Sequence, residues 1–381
     1  MDELFKPLAV GGLELRNRIV MSPMTRRASP RGVPTAAVER YYARRAQAGV
    51  GLIVTEAVGI DHGGSVGEGG LDECNIPLMY GADALGGWRK VVEAAHAGGA
   101  HIFPQLWHMG PMREAGTGPY PDAPSSRPSG IWGPEGGKAT VPPEFIQRML
   151  PVGPALTESE IADIISAFAG AAGNAAQIGF DGIAIHGGHG YLIDTFFWRE
   201  TNRRGAPWGG DIVQRSRFAA EVVRAIREAV GPAMPIMFRF SQWKQQDYDA
   251  RLAEGPNELE AMLGPLVDAG VDVFDASARR FYLPAFPGSD LSLAGWAKRV
   301  TGRPCMAVGN IGLQRDLYDS LASDGSAAAD NLDEARRRLA AGEFDLIGVG
   351  RAMLADPEWA AKVASGEPFR PFETSLLQEL V

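Results

Sequence analysis

The chain has 381 residues, of which 45% are hydrophobic, and this is ample for one large core. Its 37 Lys and Arg residues against 46 Asp and Glu residues give a net charge of −9, which argues against nucleic acid or an anionic membrane as partner. Two cysteines, Cys74 and Cys305, lie far apart in sequence and form no metal-ligand cluster, which favours a reducing, cytoplasmic setting. No apolar run of about 18 residues is present, so no membrane span is predicted.

Short apolar runs rich in β-branched residues alternate along the chain with longer amphipathic stretches. The short runs predict eight strands, in chain order Arg18–Pro23, Val50–Thr55, Ala100–Leu106, Gly182–His186, Pro235–Phe240, Asp272–Ala276, Pro304–Val308 and Phe344–Val349. The amphipathic stretches predict helices over Thr35–Ala48, Asp83–Gly98, Glu158–Ile178, Val213–Val230, Asn257–Ala269 and Leu332–Ala341. A capping box over Thr157–Glu160 is predicted to start the third of these helices.

Strands that alternate with helices of this length indicate a parallel sheet, and eight such units favour a closed (β/α)8 TIM barrel. We therefore expect an α/β fold with a single domain over residues 1–381. Pro7–Leu15 is predicted to be a hairpin that plugs the barrel floor, and Ser323–Asn331 a small polar loop. Gly110–Pro154, rich in Pro and Gly, follows the third strand and is interpreted as a lid or substrate-shaping loop; a disordered insertion is the alternative.

In a (β/α)8 barrel the active site forms at the C-terminal ends of the strands. Polar and glycine-rich residues of this chain fall at seven of these ends, namely Ser22–Arg26, Thr55–Ala57, Gln105–His108, His186–Tyr191, Arg239, Gly309–Asn310 and Gly348–Arg351. Burying so many polar groups at one end of the barrel only as part of the core would cost free energy. Their convergence predicts one functional site.

The last two strand ends suggest a phosphate site. In such barrels, the loops after strands seven and eight often supply backbone N–H groups to an anion. Gly309 and Gly350 allow a close backbone approach, and Arg351 offers a guanidinium that can bind bidentately. For each loop alone, a plain turn is the alternative. No GxGxxG motif follows a strand, so a Rossmann-type nucleotide site is not indicated.

The cluster of His186, His189 and Tyr191 has three interpretations. A two-histidine metal site lacks a convincing third ligand nearby in sequence, and a structural set of satisfied polar residues is the second interpretation. In the third, both imidazoles bind one carbonyl or nitro oxygen that gains negative charge, and the phenol gives up a proton.

Two further residues stand at strand ends with two interpretations each. Trp107 is either core filling or a wall of the substrate pocket. Arg239 ends an apolar strand, so its charge needs a partner. That partner is either a ring that becomes anionic when it accepts electrons, or a carboxylate of the barrel in a structural ion pair.

Taken together, these residues resemble the old yellow enzyme family of FMN-dependent oxidoreductases. The resemblance runs from Leu4–Leu8 to Gly350–Arg351, and its most specific pieces are Asn17–Arg26, Gln105–His108 and Phe180–Gly182 with His186–Tyr191. Thr25, rather than Cys, together with Trp107 is similar to the enoate and 12-oxophytodienoate reductase branch.

The resemblance implies a role for each candidate residue. Non-covalent FMN would lie against Pro23, Met24, Thr25, Ala57, Gln105 and Arg239, with its phosphate held by Gly309, Asn310, Gly350 and Arg351. His186 and His189 would bind the substrate oxygen beside Trp107 and Thr25. Tyr191 would be the proton donor.

The reaction so implied is an ene-reduction: NADH or NADPH reduces FMN, and an enone or nitroalkene is then reduced at its C=C bond. One alternative keeps the fold and FMN for a desaturase or double-bond isomerase. A second is a non-redox phosphate-binding barrel lyase, and a third is a flavin-binding sensor. The physiological substrate, the choice between NADH and NADPH, and the oligomeric state are left open by the sequence.

Overall fold

The computed structural model describes residues 2–70 and 73–380. Its strands are β1 (Leu8–Val10), β2 (Leu13–Leu15), β3 (Ile19–Met21), β4 (Leu52–Gly59), β5 (His101–Trp107), β6 (Ile183–His186), β7 (Ile236–Ser241), β8 (Val273–Ser277), β9 (Cys305–Val308), β10 (Gly325–Ser326), β11 (Leu346–Val349) and β12 (Phe372–Glu373). Its α-helices are α1 (Ala36–Gln47), α2 (Ala82–Ala97), α3 (Pro143–Met149), α4 (Glu158–Gln177), α5 (Leu192–Phe197), α6 (Ile212–Val230), α7 (Pro256–Ala269), α8 (Leu293–Thr301), α9 (Leu317–Ala322), α10 (Leu332–Ala340), α11 (Arg351–Ala355) and α12 (Trp359–Ser365).

Eight parallel strands close into a barrel in the order β3, β4, β5, β6, β7, β8, β9, β11. Each coincides with a predicted strand, so the predicted (β/α)8 class is confirmed. The prediction was wrong about where the second strand ends: β4 continues beyond Thr55 to Gly59, because its pairing with β5 shifts register between Val54 and Ala57 and then resumes. Ala57 therefore lies within the strand, not beyond it.

The predicted N-terminal hairpin is confirmed as well. β1 and β2 pair antiparallel, with Leu8 opposite Leu15. The turn uses Gly11 at φ 52°, where a Cβ atom would lie 3.0 Å from Cγ of Pro235. Leu15 is buried with inward-facing side chains of the barrel strands, including Phe103. The hairpin closes the N-terminal end of the barrel and leaves the opposite end for function.

The surrounding helices each bury one face against the barrel. In α4, Ile161, Ile164 and Phe168 recur at helical spacing and are fully buried. Truncating a buried Phe to Ala typically costs about 3–5 kcal/mol. The predicted capping box is present: Oγ1 of Thr157 accepts the backbone N–H of Glu160, whose carboxylate accepts the backbone N–H of Thr157.

All six predicted helices begin and end within one residue of α1, α2, α4, α6, α7 and α10. The sequence did not predict α3, α5, α8, α9, α11 and α12. Five of these helices have only five to seven residues, which is too short for a periodic pattern to stand out in a window of about 11 residues. The helix α8 has nine residues, as the predicted α10 does, so its length does not explain why it was missed.

The segment Gly110–Pro154 is more ordered than its composition suggested. It contains α3, and Trp132 and Phe145 are buried. Arg113 is fully buried and donates hydrogen bonds to four backbone carbonyls of this segment and of the loop after β4. The segment is therefore packed structure and not a disordered insertion, while its role in substrate choice stays a prediction.

The loop Ser323–Asn331 also differs from the expected plain loop. It contains β10, in which Ser326 pairs with Phe372 of β12. This pairing brings the C-terminal residues back over the barrel mouth. None of the helices within residues 2–70 and 73–380 combines the length and the apolar character needed to span a bilayer.

Candidate active site

A cavity of about 980 Å³ opens at the C-terminal ends of the barrel strands. Parallel strands of a closed barrel all end at the same rim, so residues distant in sequence meet there. Every predicted site residue lines this one cavity: Pro23, Met24, Thr25, Ala57, Gln105, Trp107, His186, His189, Tyr191, Arg239, Gly309, Asn310, Gly350 and Arg351. The structure thus brings the whole predicted set together.

The cavity contains buried polar atoms that have no protein partner within the described residues. Four such atoms stand on strands or at their ends: Oγ of Ser22, Nε2 of Gln105, Nε1 of Trp107 and Nη2 of Arg239. Buried donors are nearly always satisfied, so unpaired ones that line a cavity indicate a polar ligand. An amide donor and a guanidinium donor are suited to a ring with carbonyl and nitrogen acceptors at its edge.

Arg239 meets a carboxylate as well as the cavity. Its Nε lies 2.6 Å from Oδ2 of Asp275, and both side chains are almost fully buried. Burial raises the pKa of Asp275, while the adjacent Arg239 charge opposes that rise. The structural ion pair and the contact to a ligand, which the sequence left as alternatives, are therefore compatible: Nε serves the pair, and Nη2 is left for the cavity.

The aromatic and imidazole rings of the predicted substrate site form one continuous wall. The ring of His186 lies 4.9 Å from that of Tyr191 and 5.0 Å from that of His189, edge to face in both cases. Trp107 packs edge to face on Tyr191 at 4.8 Å between centroids. Trp107 is therefore buried and also lines the cavity, so its two interpretations are compatible.

The histidines are held as neutral rings. Burial lowers the pKa of His186 well below its ordinary value, and Arg239 lowers it further. Burial lowers the pKa of His189 in the same way, helped by His186, Arg239 and Lys244. A neutral imidazole has one N–H donor and one acceptor nitrogen. Each ring can therefore offer one hydrogen bond to a substrate oxygen.

His189 has further contacts that the sequence did not indicate. Its Nε2 lies 2.8 Å from Oγ of Ser277, and its ring stacks on Trp243 at 4.2 Å. Its backbone has φ 64°, an uncommon value for a residue with a side chain. With Nε2 engaged by the serine hydroxyl, Nδ1 is the ring nitrogen left for a ligand.

Tyr191 hydrogen-bonds a residue that the sequence analysis missed. Its hydroxyl donates to Oε1 of Glu73 at 2.9 Å, and both residues are buried. Burial raises the pKa of Tyr191 well above its ordinary value, and the nearby Glu73 charge adds to the rise. Glu73 follows a glycine-rich stretch without periodicity, so no sequence signal marked it as a site residue.

A buried ion pair supports the loop that bears His189 and Tyr191. Nζ of Lys244 lies 2.9 Å from Oδ2 of Asp194, and both side chains are fully buried. The same carboxylate oxygen accepts the backbone N–H of Gly190. Burial raises the pKa of Asp194 to about 6, against the opposing effect of Lys244. Lys244 and Asp194 were also missed, because nothing in their local sequence distinguishes them.

The predicted phosphate loops face the cavity with backbone donors. In the described part of the chain, the N–H groups of Gly309, Asn310, Gly350 and Arg351 donate to no protein acceptor. Gly309 is required as glycine, since a Cβ there, at φ 145°, would lie 2.7 Å from the carbonyl oxygen of Ala278. This donor set fits a phosphate.

The side chains of these two loops have additional structural roles. Nδ2 of Asn310 donates to the carbonyl of Leu313. The Arg351 guanidinium donates to the carbonyls of Asp316 and Arg315 and to the hydroxyl of Ser320. Arg351 therefore braces the loop as well as lining the cavity, and burial lowers its pKa to about 10.

Within the described ranges, no group of three or more His, Cys, Asp or Glu side chains is placed to hold a metal ion. The two site histidines instead contact Ser277, Trp243 and Tyr191.

Comparison with known proteins assigns the chain to a family. The pattern of the NADH:flavin oxidoreductase / NADH oxidase family matches residues 3–369. The chain is similar to an NADH oxidase of Thermoanaerobacter brockii, at 35% identity over 380 residues and 95% of the chain. It spans 51% of that relative's length. It is also similar to a probable flavin mononucleotide-dependent alkene reductase of Leishmania infantum, at 32% identity, with 97% of this chain and 92% of the relative covered.

The fold matches solved structures over nearly its whole length. Morphinone reductase in complex with tetrahydroNAD superimposes with a TM-score of 0.79 at 26% identity, and the match covers 99% of this chain and 94% of that one. The family pattern, the relatives and the fold all agree with the resemblance to the old yellow enzyme family that the motifs at the strand ends indicated. The chain belongs to the NADH:flavin oxidoreductase / NADH oxidase family and has the old yellow enzyme fold.

Proposed function

We propose that this protein is an FMN-dependent ene-reductase that uses NADH or NADPH to reduce the C=C bond of α,β-unsaturated carbonyl or nitro compounds. One observation carries the proposal: a single cavity combines unpaired donors of Gln105 and Arg239 with the wall of His186, His189 and Tyr191. The first set suits a flavin, and the second suits an electron-poor alkene. The names of the alkene reductase and NADH oxidase relatives support the same reading.

The residues present fit FMN at both of its ends. Gln105 and Arg239 would hold the ring edge, with Pro23, Met24, Thr25 and Ala57 lining the same region of the cavity. Backbone donors of Gly309, Asn310, Gly350 and Arg351 would hold the phosphate. Bound FMN would supply the hydride chemistry, taking a hydride from NAD(P)H and passing it to the alkene.

The protein's own groups orient and polarise the substrate. His186 and His189 would each donate one hydrogen bond to the carbonyl or nitro oxygen and stabilise the charge that develops there. Trp107 and Thr25 would bound the space for the alkene. Tyr191 would give a proton to the α-carbon, as expected of a phenol held on the same wall as the two imidazoles.

The co-substrate and the setting are part of this proposal. The related fold of morphinone reductase has been solved with tetrahydroNAD, which supports a nicotinamide co-substrate here. A small-molecule substrate follows from the size of the cavity. Cys74 and Cys305 are both free thiols, in keeping with the reducing, cytoplasmic setting proposed from the sequence.

A desaturase or double-bond isomerase is the second candidate, and the contact between Tyr191 and Glu73 favours it. A tyrosine that donates its hydrogen to a carboxylate leaves its oxygen able to accept a proton from a substrate carbon. The lyase and sensor alternatives have no such observation behind them.

Anaerobic stopped-flow absorbance with product analysis separates these functions. We expect a yellow protein with FMN, bleaching by NAD(P)H, recovery of colour on adding an enone, and a saturated product. Tyr191→Phe should leave bleaching close to wild type and slow the recovery by roughly 10²–10⁴-fold, the usual contribution of a general acid. Isomerised or desaturated product without net NAD(P)H use would favour the second candidate, and a colourless protein would refute both.

A further inference from the structure

The hydrogen bond between Tyr191 and Glu73 connects the active-site wall to a second proton-bearing group. Glu73 belongs to the segment between β4 and α2, its side chain is 2% exposed, and it lines the same cavity. The segment makes room for it: a Cβ atom on Gly69 would lie 2.5 Å from Oε2 of Glu73. Phenol and carboxyl group thus form a buried pair at 2.9 Å.

Arg27 lines the same cavity as Glu73. The groups near Tyr191 on β5, β6 and β7 provide little positive charge. On β6 and its loop, His186 and His189 have pKa values held low by burial, so they are neutral. Trp107 of β5 contributes an uncharged ring, and the side chain of Gln245 near Tyr191 is an uncharged amide. The charge of Arg239 on β7 is partly neutralised by Asp275.

Loss of a proton from Tyr191 alone would therefore be costly. It would leave a phenolate beside a carboxylate in a buried site, where like charges repel strongly because water does not screen them. The raised pKa of Tyr191, caused by burial and then by Glu73, reflects this repulsion. A proton on Glu73 would remove the cost.

We propose that Glu73 supplies, through Tyr191, the proton that ene-reduction adds to the α-carbon; this inference rests on the proposed ene-reductase function. When protonated, Glu73 donates to Oη of Tyr191 and turns the tyrosine hydrogen toward the substrate. The Tyr191 O–H bond breaks as the enolate's electron pair forms the new C–H bond. At the same time the Glu73 O–H bond breaks and a new Tyr191 O–H bond forms.

Tyr191 is neutral before and after this transfer, and Glu73 ends as a carboxylate that regains a proton from solvent. The hydrogen bond in the structure, from Tyr191 to Glu73, is the one expected of the carboxylate form. Glu73 touches Tyr191 and acts through it, so it is a positioning and relay residue. In the reverse direction, the same proton transfer between Tyr191 and Glu73 would remove a proton from a substrate carbon.

Glu73→Gln in the holoenzyme tests the relay, because Gln keeps a hydrogen-bond donor for Tyr191 but cannot transfer a proton. We expect bleaching by NAD(P)H to be unchanged. Reoxidation by an enone should slow by roughly 10- to 100-fold, at the lower end of a general acid's contribution. In wild type the reoxidation rate should fall as the pH rises and Glu73 loses its proton, and in Glu73→Gln this pH dependence should be absent. Glu68→Gln, an exposed carboxylate of the same segment, is the matched control and should behave as wild type.

Two further measurements separate a relay from a merely structural contact. In a Tyr191→Phe background, Glu73→Gln should have no additional effect on enone reoxidation, since both residues act as one unit. In wild type, an infrared band of a protonated carboxyl group, absent in Glu73→Gln, should titrate with the same midpoint as the pH profile of reoxidation.

Three outcomes would overturn the inference. These are wild-type reoxidation with an unchanged pH profile in Glu73→Gln, full additivity with Tyr191→Phe, or a wild-type infrared titration without that band. If Glu73→Gln fails to retain flavin, the infrared titration of wild type still tests whether Glu73 carries the proton. If no enone reoxidises the reduced wild-type flavin, the proposed ene-reductase function fails. If the infrared band of the protonated carboxyl group still titrates in that case, Glu73 and Tyr191 would still form a proton-transfer pair, which would then act in the isomerase direction.

Discussion

Arg239 and Asp275 lie directly opposite each other on β7 and β8, and their side chains form a buried ion pair of 2.6 Å beneath the active-site cavity. One guanidinium nitrogen binds the carboxylate, and Nη2 has no protein partner within the described chain. The pair therefore sets how much positive charge the cavity receives from Arg239. A flavin held against Arg239 would experience a positive charge that Asp275 partly neutralises, and not the full charge of an unpaired guanidinium.

Asp275→Asn should raise the reduction potential of the bound flavin, because it removes the negative charge that offsets Arg239. It should also destabilise the fold by about 3–5 kcal/mol, the usual cost of leaving a buried charge unpaired. Dye-equilibration redox titration and urea unfolding measure the two effects. Asp272→Asn is the matched control, since it breaks an ion pair of the same length with Arg227 that does not line the cavity. An unchanged potential in Asp275→Asn would show that Arg239 does not act on the flavin.

Arg351→Ala should weaken FMN binding more than it alters the chemistry of flavin-saturated enzyme. A charge-assisted hydrogen bond to a phosphate is worth roughly 1.5–3 kcal/mol, so Kd should rise about ten- to a hundredfold. Fluorescence titration of the apoprotein with FMN measures this. Arg315→Ala removes an exposed arginine of the adjoining loop that does not line the cavity, and it should leave Kd unchanged. Equal Kd values for wild type and Arg351→Ala would show that the guanidinium does not contact the phosphate and that the backbone donors of the two loops hold it alone.

Val141 is expected to limit the size of the substrate. It lies in the Gly110–Pro154 segment, lines the cavity and packs in the cluster that includes Trp107 and Tyr191. Val141→Ala should increase the rate on bulky enones relative to small ones, and Val141→Phe should decrease it, as measured by competition between the two classes. Ile131→Ala, in the same segment but away from the cavity, is the control.

Shortening the whole segment would be a poorer test of its role, because Arg113 anchors it through buried hydrogen bonds and its loss would disturb folding. If both Val141 variants kept the wild-type preference, Val141 would have no part in substrate choice.

Stability should depend on pH through His101 and Asp181, which contact each other at 3.1 Å on the outside of the barrel. The hydrogen bond to Asp181 raises the pKa of His101 in the folded protein. The resulting stability is present below the unfolded pKa of about 6.5 and is lost as the pH rises through the folded value.

His101→Gln should therefore lower the free energy of unfolding at about pH 5 and have progressively less effect toward about pH 8. Urea unfolding of both proteins across this range measures the difference. Asp181→Asn should abolish most of the pH dependence of that difference, because it removes the partner. A constant difference between wild type and His101→Gln would contradict the assignment.

The barrel and the main site residues were predictable because both follow from regular patterns. Eight strand-like runs alternate with amphipathic helices, and parallel strands of a barrel end at one rim. Gln105, His186, Arg239 and Gly350 each stand at such an end, so they had to share one cavity whatever the details of packing. The motifs around them also carried the family resemblance.

The partners of these residues depended on register and on loops. Arg239 meets Asp275 because β7 and β8 pair in the register that places them opposite each other, and strand runs alone do not specify register. Thr55, predicted to end its strand, lies inside β4 because of an irregularity in pairing with β5. Helices as short as α5 and α11 have too few turns for a periodic signal.

By itself the sequence determined the fold class, the end of the barrel that bears the site and the residue types that line it, because hydrophobic periodicity and strand direction are local properties. Only the tertiary structure decided that Glu73 reaches Tyr191, 118 residues away along the chain. Glu73 lies in a loop without periodicity, and its position depends on how the Gly69 region packs over the cavity. Contacts of this kind arise from the closure of the whole barrel, which no local stretch of sequence encodes.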